Sequence, residues 1–72
     1  MASLEVNYRG FLLRPIADLK DGQYVSMLVV ENPEGVERGS GTLGTFENAE
    51  AACQYAVECG MAQIDGPRAR HP

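Results

Sequence analysis

Few residues in this 72-residue chain have the types and spacing that chemistry needs. Two cysteines, Cys53 and Cys59, and one histidine, His71, are the whole supply of thiol and imidazole. Both cysteines fall on one helical pattern but on different faces, roughly one and a half turns apart, so they cannot bridge each other. They read as small apolar residues in a reducing compartment. A metal site needs convergent ligands, and His71 stands alone near the end of the chain, so none is expected. Arg14 with Asp18 or Asp21 is the one polar grouping that could be imagined as a site. No nucleophile–base pair and no phosphate-cradling motif stands beside it. The expectation is therefore a protein that is not an enzyme and takes no cofactor.

Charge narrows the partners. The formal net charge is −4, with a pI near 4.7. As a whole the chain repels a phosphate backbone. The basic cluster Arg68, Arg70 and His71, beside Pro67 and Pro72, reads as a solvated tail. No apolar run is long enough to span a bilayer. The start, MASLEVNYRG, lacks the basic and apolar stretches of a signal peptide, so a soluble cytoplasmic protein is expected.

The elements that must position these residues come next. Residues 42–64 carry the organising signal: a strand-like start, then one amphipathic helix. Asn48 suits the N-cap, where its side-chain oxygen can accept from free first-turn amides, and Glu50 sits at the positive end of the helix dipole. Ala49, Ala52, Cys53, Ala56, Val57, Gly60, Met61 and Ile64 recur at helical spacing and form one stripe of mostly small residues. Such a helix can lie close on a sheet, and Gly66-Pro67 stops it.

Ahead of the helix, residues 8–16 (YRGFLLRPI) read as a first strand, with Pro15 closing it or marking an edge. Lys20-Asp21-Gly22 signals a turn. Residues 23–31 (QYVSMLVVE) form the clearest strand, and Asn32-Pro33-Glu34-Gly35 a second turn. Residues 36–46 read as a third strand, where Gly39, Gly41 and Gly44 predict a bulge or a close backbone approach. The expected fold is α+β: a three-stranded antiparallel sheet in β-β-β-α order, with one C-terminal helix on one face. Residues 1–7 are an N-terminal segment, frayed or added to an edge; residues 8–65 form a single domain; residues 66–72 are a tail.

Strand alternation assigns the faces. Phe11, Leu13, Tyr24, Leu28, Leu43 and Phe46 should form the core with Ala52, Cys53, Ala56 and Val57. Leu12, Val25, Met27 and Val29 fall on the other face. An antiparallel sheet with one solvated face should alternate apolar with polar, and the second strand does not. Either residues 1–7 or the tail cover that face, or it is a binding patch.

Tyr8-Arg9-Gly10-Phe11 followed by Arg14-Pro15 resembles the opening of the plant ethylene-response-factor (Apetala-type) DNA-binding domain. Leu43-Gly44-Thr45-Phe46, then Glu47-Asn48-Ala49-Glu50-Ala51-Ala52, is similar to that family's third-strand exit and helix start. Gly22-Gln23-Tyr24 falls where the family has glycine, a basic residue and an aromatic. The resemblance covers about residues 8–60, with a longer first hairpin here, and the β-β-β-α order is also that of integrase arm-binding domains. It implies a sheet that reads the DNA major groove with its helix-free face. Arg9 and Arg14 match the family's basic positions. Leu12 stands where an arginine is implied, Met27 and Val29 where a glutamate and an arginine are, and Ser40 and Thr42 where an arginine and a tryptophan are. Phosphate neutralisation and polar base readout both lose their residues on this face.

Two readings follow. In the first, Leu12, Val25, Met27 and Val29 bind a protein partner or a second copy of the chain. In the alternative, Arg9, Arg14, Lys20 and Arg38 bind nucleic acid. The acidic balance and the apolar face favour the first, and specific or tight nucleic-acid binding is not expected.

Overall fold

The computed structural model describes residues 5–66. The expected tail cluster Arg68, Arg70 and His71 lies outside them. Strands β1 (Val6–Tyr8), β2 (Phe11–Lys20), β3 (Gln23–Glu31), β4 (Glu37–Gly39) and β5 (Gly44–Phe46) precede helix α1 (Ala49–Asp65). All pairings are antiparallel, in the order β1-β2-β3-β4, with β5 also pairing β3. The fold is the expected α+β arrangement of an antiparallel sheet and one C-terminal helix. No described helix is long and apolar enough to cross a membrane.

Two details of strand layout differ from expectation. The stretch read as one strand over residues 8–16 turns at Arg9-Gly10, which makes β1 and β2 a hairpin. Arg9 and Gly10 both take positive φ, 53° and 86°, as a two-residue hairpin turn of the primed type requires. Asp21-Gly22 repeats the device between β2 and β3, at 53° and 79°. Residues 36–46 are likewise split. Between β4 and β5, Ser40 N–H donates to Leu28 O at 2.8 Å and Leu43 N–H to Ser26 O at 2.7 Å. Ser40 Oγ accepts from Leu28 N–H at 3.0 Å. The serine hydroxyl thus keeps the β3 amide satisfied across the expected bulge.

Pro15 does not end β2. In a two-residue hairpin the closing residues exchange both backbone bonds, so Lys20↔Gln23 fixes which β2 amides face β3. Even-numbered residues face β3, and odd-numbered ones face the β1 side. Described β1 pairing ends at Val6↔Leu13. The missing proline N–H therefore points where no described strand asks for it.

The helix lies on the face that carries Leu13, Pro15, Ser26 and Leu28. Leu13, Leu28, Ala52 and Ala56 form the buried apolar centre. Val6, Tyr8, Phe11, Val30, Leu43, Val57, Met61 and Ile64 pack around its margin, half-buried. Phe11 thus faces the helix side as expected, but its ring is not fully enclosed. Asn48 caps the helix, its Oδ1 accepting from Ala51 N–H at 2.7 Å, and Gly66 ends it, donating to Ala62 O. Beneath the first turns runs a row of small residues, Ala17, Ser26 and Gly44. Ser26 is fully buried and its Oγ donates to Ala52 O at 2.6 Å. One turn past Ala56, Gly60 brings the backbone so close that an added Cβ would lie 2.7 Å from Leu28 Cδ2.

Candidate interaction surface

The register assembles the outer face, the one turned away from the helix. From β2 it takes Leu12, Arg14, Ile16, Asp18 and Lys20, paired in turn with Glu31, Val29, Met27, Val25 and Gln23 of β3. Leu12, Val25, Met27 and Val29 all fall here, and each is half-buried by its neighbours in the sheet. Ile16, 39% exposed, sits opposite Met27 at the centre. The expected strand over residues 8–16 reaches Ile16, but its faces are assigned only as far as Arg14; continuing the alternation Leu12, Arg14, Ile16 would have found it. Val6–Tyr8 does not lie across this face, because β1 pairs edge-on with β2. No described element packs over the apolar centre.

Arg14 holds one end of the face. Its Nε lies 3.1 Å from Glu5 Oε2, one terminal nitrogen 2.8 Å from Glu37 Oε2 and the other 3.2 Å from Glu31 Oε1. Four segments of chain meet on one guanidinium, with a surplus of two negative charges. The hydrogen bond to Glu37 is the main cause that raises the Arg14 pKa above its ordinary value; the charges of Glu37, Glu5 and Glu31 add to it against some desolvation. The guanidinium therefore stays charged at any ordinary pH. These carboxylates come from strands far apart in sequence, so only the register reveals them.

The cations of the nucleic-acid alternative do not converge. Arg9 sits in the β1–β2 turn, its Nε 3.1 Å from Asp65 Oδ1 at the helix end. That contact lacks the alignment of a hydrogen bond, and Oδ1 is buried without one. Asp65 Oδ2 accepts from Tyr8 O–H at 2.7 Å. This clasp seats a carboxylate at the negative end of the helix, where it needs such partners. Arg14 is spent on its glutamates. Lys20 lies at the far end of the outer face, and Arg38, opposite Val30, belongs to the helix side.

Among the described residues the chemistry-bearing side chains do not converge either. Cys53 and Cys59 are free and half-buried. The Tyr55 phenol is pushed up from its ordinary value, mainly by a hydrogen bond with the Cys59 thiol one turn along. Asp18 and Asp21 make no ion pair with Arg14 among the described residues. Nor do any three metal-ligating side chains among them stand close enough to hold an ion. No family model, curated protein or solved structure matches this chain.

Proposed function

We propose that this protein is a self-associating interaction module that docks its outer sheet face on a second copy. The observation that carries the reading is the apolar centre of that face, over which no described element packs. Ile16 and Met27 form its middle row, Arg14 lies two residues to one side, and Asp18 lies two to the other. A two-fold axis across the strands at the middle row stacks β2 on β2 in opposite directions. Lys20 of each copy then comes near Glu31 of the other, part of the surplus negative charge around Arg14, and Ile16 and Met27 meet their own counterparts. Such an interface is isologous and closes on itself.

Size supports a reversible dimer. The ten residues of β2 span roughly 30 Å, and three strands are about 15 Å wide. The footprint is then about 450 Å² per copy in projection, or about 900 Å² for the pair, below the range of stable specific interfaces and within that of weak, transient ones. Sheets packed about 10 Å apart would let Met27 interdigitate with Ile16 and Val29.

A shared architecture with ethylene-response-factor and integrase-arm domains is part of this reading; their base readout is not. Arg9 and Arg14 are held by carboxylates, and Lys20 and Arg38 lie on opposite faces, so no cationic surface forms. No catalytic role is assigned. A reducing, cytoplasmic setting fits the two free thiols.

The test is sedimentation from about 1 µM to about 1 mM, a range that brackets weak association. The weight-average mass should rise from 7.8 kDa toward the dimer, and Met27→Lys should hold the monomer with its fold unchanged. A wild type that stays monomeric throughout would refute the reading.

A further inference from the structure

The outer face is unequal at its two ends. Beside Leu12 and Arg14, three carboxylates, Glu5, Glu31 and Glu37, share one guanidinium. Glu31 makes the longest of these contacts, at 3.2 Å. The opposite end closes on the row Lys20↔Gln23. Lys20 is exposed and makes no ion pair among the described residues. Residues 1–4 and 67–72 hold no aspartate or glutamate that could answer it. Within one copy the rows that hold Lys20 and Glu31 are about 26 Å apart along the strands, far beyond contact.

We infer that, within the dimer proposed for the outer face, Lys20 and Glu31 are the residues by which one copy selects another and fixes how the two sheets lie. A two-fold axis across the strands carries the Lys20 row of one copy over the Leu12↔Glu31 row of the other, twice in the closed dimer. Each lysine then has a carboxylate, and each three-acid cluster gains a cation. Asp18 lies one row nearer the middle, so Lys20 is the charged group of its strand that reaches the partner's last row. A two-fold axis along the strands does the reverse. It lays each Arg14 cluster, with its surplus of acid, over its own counterpart, and like charges face each other. The apolar rows alone do not choose between the axes, because Ile16 meets apolar residues in either. Charge therefore sets the orientation that shape leaves open, and it disfavours an apolar sheet that carries an acid in place of the lysine.

The direct test uses the wild-type chain at a concentration where sedimentation shows the dimer. A carbodiimide activates a carboxylate, and an amine in contact with it displaces the urea and forms an amide. Digestion and mass spectrometry should then find Lys20 joined to Glu31. Because about 26 Å separates them in one copy, that product reports contact between copies. A mixture of unlabelled and isotope-labelled chains should give it with mixed labels. Charge reversal supplies a second measurement. Lys20→Glu and Glu31→Lys should each weaken association by about tenfold, since both symmetry-related pairs turn from attraction to repulsion. Mixed in equal amounts, the two variants should associate as tightly as wild type, because each reversed charge then meets its opposite. Urea melts of the separate variants should show that both stay folded. A wild type that dimerises without the Lys20–Glu31 product, or a mixture no tighter than either variant alone, would overturn the pairing and leave the dimer standing. A wild type that stays monomeric to about 1 mM would overturn the dimer and the pairing together.

Discussion

Gly60→Ala tests how closely the helix is seated. On helix propensity alone the change should stabilise the protein by about 1 kcal/mol, since glycine loses more backbone freedom than alanine. The packing opposes it. The new methyl would lie 2.7 Å from Leu28 Cδ2 and 3.2 Å and 3.3 Å from the two Leu13 methyls. Both leucines are fully buried, so neither can swing into solvent. Forcing one extra carbon into a filled core costs about 1–3 kcal/mol, so overpacking should win by about 1 kcal/mol. For a chain of this size that lowers Tm by about 4–8 °C. A double-mutant cycle isolates the cause. Leu28→Val removes the nearest methyl, so in that background Gly60→Ala should turn stabilising, with a coupling of about 1–2 kcal/mol. Urea melts of the four proteins give all the terms. If Gly60→Ala alone stabilises by the full propensity gain, the helix does not approach the sheet at Gly60 and the packing described here is wrong.

Three further outcomes are expected. Leu13→Ala should cost about 2–5 kcal/mol in chemical melts, and more than Phe11→Ala, because the Phe11 ring is only half-enclosed. Ser26→Ala should cost about 1 kcal/mol for the lost bond to Ala52 O, while Ser26→Val should cost more, since nothing under the helix yields to a larger group. Arg14→Met should destabilise from neutral to moderately alkaline pH, because it leaves Glu5, Glu31 and Glu37 gathered without their cation, and thermal melts across that range check it. Arg14's raised pKa means that its contribution is fully present at neutral and moderately alkaline pH and is lost only in strong base.

What the sequence made legible was local. Asn48, the alanine stripe and Gly66 define the helix within a few turns of chain. Asp21-Gly22 closes a hairpin by itself, and the unbroken apolar run of β3 marks a strand whose two faces both matter. What stayed hidden needed partners remote in sequence. Arg9-Gly10 does not read as a hairpin turn, because arginine rarely takes positive φ. Here Asp65 meets that residue from the far end of the helix, while the ring of its neighbour Tyr8 lies 5.7 Å from the Arg9 guanidinium carbon. Pro15 reads as a strand end or an edge, and only the register, which turns its nitrogen away from β3, decides between them. Ile16 lies at the end of the expected strand, past the last residue whose face is assigned. The Arg14 cluster draws on Glu5, Glu31 and Glu37, which no spacing rule connects.

The same economy of material explains why the surfaces matter. One helix of 17 residues covers one face of the sheet, and its contact stripe is mostly alanine and glycine. Small residues allow a close approach but bury little apolar area each, and only Leu13 and Leu28 add fully buried bulk. A core of that size leaves little margin in so short a chain. Apolar residues that might have enlarged it, Leu12, Ile16, Val25, Met27 and Val29, were placed on the opposite face instead. Half-buried there, they add their full share to stability only when something covers them. A second copy on that face would bind the folded state alone and so stabilise it by mass action. Association and folding are then two views of one equilibrium, and the residues that look misplaced in the monomer are the ones through which the dimer would be selected.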